Sequence, residues 1–245
     1  MKGMFRFKSF RGKITRSNYA ELLTDCFFVS LFVTEESKQT SQVFNEKCLL
    51  LSSRLESLAR ELDGIILSRL PYDRAASDTS LEVALDYIRR LGFFDSDLKS
   101  LKETFRTISL KTPAQKKNLE NLTELYKELN TQSNLHKERL MYLESALNGL
   151  EKNSDIVKDL ENILAGHIIM PSTLEGLRDL LKQLTALQEI VIENQSSMDK
   201  MNNAANQLGR MGVPTKIIDD LKNLHARVER LNSRWNSVNI QLVDR

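Results

Sequence analysis

Residues 217–242 read IIDDLKNLHARVERLNSRWNSVNIQL. The apolar members Ile217, Leu221, Leu224, Val228, Leu231, Trp235, Val238 and Leu242 recur at alternating steps of four and three. Such steps keep every member on one stripe of one α-helix, because seven residues make almost two turns. Lys222, His225, Arg227, Glu229, Arg230, Arg234 and Asn236 stand between them and can face water. Pro214-Thr215, after the Gly212-Val213 break, supplies a start. The pattern predicts a helix whose Leu221, Leu224, Val228, Leu231, Trp235, Val238 and Leu242 form structural core.

Working back toward the N-terminus, the same theme repeats. From Ser172 to Leu208 the stripe runs Leu177, Leu181, Leu184, Leu187, Val191, Asn194, Met198, Met201, Ala205 and Leu208, with one slip of register at Leu184 to Leu187. Pro171-Ser172 opens it and Gly209 is expected to close it. A longer segment starts near Pro113 and carries Leu119, Leu122, Tyr126, Leu129, Ser133, His136, Leu140, Leu143, Leu147, Leu150, Val157, Leu160 and Leu164 before Gly166. It predicts one helix of ~50 residues, roughly 75 Å long. Its stripe is weakest at Ser133 and His136, and Gly149 inside it is tolerable. Upstream, Phe44, Cys48, Leu51, Leu55, Leu58, Leu62 and Ile65 form a stripe ended by Pro71-Tyr72-Asp73. Leu81, Ala84, Ile88 and Leu91, then Leu98, Leu101, Phe105 and Ile108, form another, with a kink or split expected at Gly92-Phe93-Phe94-Asp95.

Composition agrees. Only 9 Gly and 4 Pro interrupt 245 residues, and 28% charged with 41% hydrophobic residues suits long amphipathic helices. Placing the first helix start near Glu35 beside Leu140 gives a period of about 105 residues. The predicted fold class is all-α: two tandem three-helix units sharing one long continuous helix, in an elongated rod. The expected boundaries are a basic arm at 1–34, a first repeat at 35–139 and a second at 140–245. Three amphipathic helices bury each other's stripes, whereas two would leave one half exposed.

These features resemble the spectrin repeat superfamily, which includes spectrins, dystrophin and utrophin, the nesprins and the spectraplakins. Leu231-Asn232-Ser233-Arg234-Trp235 is similar to the Leu-Asn-x-Arg-Trp pattern of such repeats' third helix. The run from Leu184-Thr185-Ala186-Leu187-Gln188 to Ala205-Asn206-Gln207-Leu208 resembles their second helix. The likeness covers residues 137–245 well and 35–136 weakly. Neither first helix carries the family's Trp, which points to divergent repeats of the dystrophin, nesprin or spectraplakin type. The resemblance implies a non-enzymatic spacer or scaffold in the cytoplasm. It would link the actin cytoskeleton to membrane or nuclear-envelope partners through protein–protein contacts. The chain stops at Arg245 inside a third-helix pattern, which suggests a segment of a longer rod.

Charge adds a second reading. The net charge is +2, yet residues 1–34 carry Lys2, Arg6, Lys8, Arg11, Lys13 and Arg16 against Glu21 and Asp25, a net +4 that leaves −2 for the rest. A body of net −2 is a poor lure for acidic actin, so linking is expected rather than direct actin binding. Near balance also gives no nucleic-acid footprint. In the arm, Phe5, Arg6, Phe7, Lys8, Phe10 and Arg11 alternate aromatics with cations, a pattern that suits an anionic membrane surface or a protein partner. A disordered leader and a targeting presequence remain alternatives there. The alternative function is thus a helical adaptor acting through the arm.

Nothing calls for catalysis. His136, His167 and His225 lie on separate segments, with no His-x-x-x-His pair. Gly209-Arg210-Met211-Gly212 lacks the Lys-Ser/Thr and preceding strand of a phosphate loop. Asp219-Asp220, and Asp159 with Glu161, read as solvated helix faces. Cys26 and Cys48 form no metal or redox motif, and Cys48 reads as a reduced core thiol. The expectation is no catalytic residue, no cofactor, no metal, no small-molecule substrate and no membrane span. The longest apolar run, Cys26 to Val33, has eight residues against the ~20 a span needs.

Overall fold

The computed structural model describes residues 35–166 and 171–244. Among these residues no strand occurs, and the protein is all-α. Among the described residues there are five helices: α1 Glu35–Ile66, α2 Arg74–Thr107, α3 Pro113–Gly166, α4 Leu174–Arg210 and α5 Ile218–Val243. A 3-10 turn at Thr215–Ile217 leads into α5. No helix is long and apolar enough to cross a membrane among the described residues.

Local chemistry sets the ends. Asp73 Oδ1 accepts from the Ala76 amide at 2.8 Å and caps α2, as Thr173 Oγ1 accepts from the Gly176 amide at 3.1 Å and caps α4. At α3 the segment Thr112-Pro113-Ala114-Gln115 makes a reciprocal capping box. Thr112 Oγ1 accepts from the Gln115 amide at 3.2 Å, and Gln115 Oε1 accepts from the Thr112 amide at 3.0 Å. Pro113 fills the first helical position, where no amide donor is needed. Gln115 Nε2 then donates to Ser41 Oγ at 2.7 Å, fastening the start of α3 to α1.

Two compact units partition the described residues. The first takes 35–66 and 85–134; the second takes 67–84, 135–166 and 171–244. In the first, Phe44, Cys48, Leu51, Leu55 and Leu62 of α1 meet Tyr87, Leu91, Phe94, Leu98 and Leu101 of α2 and Leu122 and Leu129 of α3. Phe94 stacks on Tyr126 at 5.9 Å between ring centres. The pairs Arg54–Asp97 and Arg90–Glu61 cross between α1 and α2 at its exposed edge. In the second, Leu140 to Leu164 of α3 meet Leu184 to Leu208 of α4 and Leu224 to Leu242 of α5. Ala84 of α2 joins that core, with Leu70 and Leu81 packed against it.

Three sequence expectations give way. The glycine-led stretch at 92–95 does not split α2, which is continuous from Arg74 to Thr107. Leu91, Phe94 and Leu98 are all buried there, and their packing outweighs the ~1 kcal/mol helix penalty of a glycine. Leu177 and Leu181 do not belong to a buried stripe; they are 41% and 66% exposed. The buried face of α4 begins at Leu184, and Leu180 is only partly covered. Gly209 lies within α4, and Gly212 makes the turn with a positive φ of 67°, a conformation that suits glycine.

Candidate functional site

The second unit concentrates its inter-helix chemistry in a few consecutive residues of α5. Asn232 and Asn202 of α4 exchange amide hydrogen bonds at 2.9 and 3.2 Å. Arg234 donates through Nε to Glu161 Oε1 at 2.9 Å and through Nη2 to Glu161 Oε2 at 2.7 Å, a fork that holds α3. Trp235 Nε1 donates to Gln195 Oε1 on α4 at 3.1 Å while its ring is buried. Successive helix residues turn by about 100°. One short stretch therefore addresses two neighbouring helices. The hydrogen bonds from Arg234 hold the Glu161 carboxyl below its ordinary range, and Glu161 in turn raises the guanidinium.

The same unit also fixes the linker after α1. The Leu70 amide donates to Asp220 Oδ2 at 3.1 Å, and Arg227 Nη1 donates to the Tyr72 carbonyl at 2.7 Å. Asp220 sits in the first turn of α5, where a carboxylate also favours the helix dipole. This acid has a partner and is not simply a solvated face.

Buried polar groups gather on α3. His136 and Arg139 are both buried, and burial followed by the neighbouring Arg139 charge lowers the His136 imidazole to about 4. Burial also lowers the Arg139 guanidinium, whose Nε has no hydrogen-bond partner. Farther along, Asn153 is buried with Nδ2 4.0 Å from Met201 Sδ. Gly149 lets α3 and α4 approach: a Cβ there would lie 2.6 Å from Met201 Cβ. In the first unit, Cys48 is a buried free thiol pushed up to about 12 by burial, so it stays protonated and poorly nucleophilic. Burial, then Glu61, raises Tyr87, whose Oη has no hydrogen-bond partner.

Of the residues singled out from sequence, Leu224, Val228, Leu231, Trp235, Val238 and Leu242 are buried in one core, and Leu221 packs against it half-buried. Phe5, Arg6, Phe7, Lys8, Phe10 and Arg11 lie outside the described residues. Sequence reasoning missed Arg139, Tyr87 and the Asp220 clasp. The spacing offers a signal for Arg139, which falls three residues after His136 and one before Leu140. Among the described residues no group of three or more His, Cys, Asp or Glu side chains is placed to hold a metal. No family model matches the chain, and no curated protein matches it.

Proposed function

We propose that the protein is a spacer and scaffold segment of the spectrin-repeat kind: two tandem three-helix repeats joined through a shared helix, linking cytoskeletal and membrane-side protein partners without catalysis. The observation that carries this reading is α3. It is one 54-residue helix whose Leu122 and Leu129 lie in the first core and whose Leu140 to Leu164 lie in the second. Internal correspondence supports it. At a shift of 102 residues, Leu122, Leu129 and Leu140 of α3 correspond to Leu224, Leu231 and Leu242 of α5, all buried. The same shift pairs Phe44, Cys48, Leu55 and Leu62 of α1 with Ala146, Leu150, Val157 and Leu164 of α3, again all buried. Units that repeat and share a helix suit the transmission of tension and the display of side faces to partners.

Small-angle scattering tests it. Two stacked repeats predict a rod roughly 100 Å long. A radius of gyration near the ~18 Å of a compact domain of this length would refute the reading. A second arm replaces Asn134, exposed in the middle of α3, with proline. A proline there removes a backbone donor and clashes with the preceding turn, costing about 3 kcal/mol. One cooperative transition should become two if the shared helix couples the repeats.

A further inference from the structure

We infer that Arg139 and His136, one turn apart on α3, form a binding site for a phosphate group. Both residues belong to the second unit, and the inference does not rest on the tandem-repeat reading. Arg139 is 5% exposed and His136 8% exposed, and the Arg139 Nε has no hydrogen-bond partner. A buried guanidinium keeps its charge, so it needs an acceptor to offset the hydration it has lost. Arg90 reaches Glu61 and Arg234 reaches Glu161, although each keeps about 40% of its side chain exposed. Arg139 lies deeper and forms no such pair among the described residues.

Its own helix supplies no acid. The positions three and four away from Arg139 are Leu135, His136, Tyr142 and Leu143. The helix dipole gives no relief, because Arg139 is 26 residues from Pro113 and 27 from Gly166. On α2, Phe94 stacks on Tyr126 while Ala84 joins the core of Leu140, so α2 and α3 run antiparallel. Thirteen residues back from Phe94 and thirteen on from Tyr126 bring Leu81 level with Arg139, and Ala84 falls level with His136. Neither is charged. On α5, Asp220 already receives the Leu70 amide and lies 3.8 Å from Arg69. Burial accordingly lowers the Arg139 guanidinium with no carboxylate acting to raise it.

The donors converge. A long side chain on a helix leans toward the N-terminus of that helix, which turns Arg139 toward His136. The imidazole feels the Arg139 charge and, with burial, is held near 4, so at neutral pH it is uncharged and carries one N–H. Nε and a neighbouring Nη of the guanidinium offer two parallel N–H groups. Three donors thus stand within one turn of α3, with one cation among them and no acid. A phosphate group answers that set: two oxygens take the fork and a third takes the imidazole N–H. A carboxylate has only two oxygens and leaves the imidazole unmatched.

The experiment titrates the full chain with inorganic phosphate in place of chloride at constant ionic strength. The wild-type unfolding temperature should rise and saturate, by about 3 °C or more between roughly 1 and 50 mM phosphate. R139M replaces a buried charge with an apolar side chain of similar length, a change that folded proteins tolerate. It should keep only the small, unsaturating rise that phosphate gives any protein by exclusion from its surface. R139K keeps the charge without the fork and should bind phosphate about tenfold more weakly. The ring protons of His136, followed by nuclear magnetic resonance, supply a readout that packing alone would not move. Saturating phosphate should raise the His136 titration midpoint by about one pH unit or more in the wild type, because a bound anion favours the charged imidazole, and leave it in place in R139M. A rise in unfolding temperature that R139M reproduces would overturn the inference, as would a His136 midpoint that phosphate leaves unmoved. Methyl phosphate as a second probe reads the source. Binding of both admits a phosphoryl group carried on a larger molecule, whereas binding of inorganic phosphate alone confines the site to the free ion.

Discussion

The inward stripes of α3 and α5 coincide residue for residue at a shift of 102, yet two positions differ in kind. Where α5 places Trp235 and Val238, α3 places Ser133 and His136, and all four are buried. Trp235 brings a large apolar surface and satisfies its single polar atom on Gln195. Ser133 satisfies its hydroxyl on the Asn130 carbonyl of its own helix at 3.0 Å, a bond that ties nothing to a neighbouring helix. His136 is kept neutral by burial and by Arg139. One stripe thus carries an anchor where its counterpart carries a weak, titratable patch. Equal geometry does not mean equal stability.

The largest expected effect attacks the anchor. Trp235→Ala removes a buried ring, at a cost of about 3–5 kcal/mol. Urea unfolding followed by circular dichroism should show an early loss attributable to the second unit. A curve that overlays the wild type would show that the ring carries no packing.

Glycines sharpen the contrast between positions that look alike in sequence. Gly149→Ala meets Met201 at 2.6 Å, and the Met201 Cα lies 3.3 Å away, so backbone as well as side chain must give. Overpacking of this kind costs about 1–3 kcal/mol. Gly92→Ala meets nothing within 4 Å inside a continuous helix and should gain about 0.5–1 kcal/mol. Thermal melts of both variants check the opposite signs; a matching sign would break the account of close approach at α3 and α4.

Acid is the next probe, aimed at the weak patch. The folded His136 titrates near 4, below its ordinary 6.5, so the unfolded chain binds the proton more readily. Stability from this group is complete above about pH 7 and falls as pH drops from 6.5 toward 4, amounting to about 2 kcal/mol lost at pH 5. His136→Leu should flatten that part of the profile, measured as urea midpoints between pH 7.5 and 5. A profile unchanged by the substitution would place the acid sensitivity elsewhere.

These contrasts also mark what sequence can carry. The limits of α3 were legible because Pro113 and Gly166 bracket an unbroken stripe, and the α5 stripe was legible because its heptad never slips. Leu177 and Leu181 were misread because spacing reports which residues share a face, not whether another helix reaches that face. Gly149 was rightly read as tolerable within α3, but its close approach could not be foreseen because it depends on Met201, 52 residues away. Arg139 was missed because a cation is assumed to face water, and only the packed neighbours bury it. The Asp220 clasp was invisible for the same reason: its partner amide, on Leu70, lies 150 residues upstream.

The smallest effect concerns the fork between Arg234 and Glu161. Its geometry is bidentate at 2.7 and 2.9 Å, and the hydrogen bonds raise the arginine and lower the glutamate. Both side chains remain about 40% exposed, however, so water and salt screen the attraction. A double-mutant cycle with Arg234→Gln and Glu161→Gln should therefore return a coupling of only about 0.5–1 kcal/mol, shrinking further in 1 M salt. Arg234→Lys keeps the charge but loses the fork, and should forfeit most of that coupling. If lysine preserved it, charge rather than directed hydrogen bonding would join α3 to α5. The run from Asn232 to Trp235 would then fix the register through Asn202 and Gln195 on α4, with no contribution from α3.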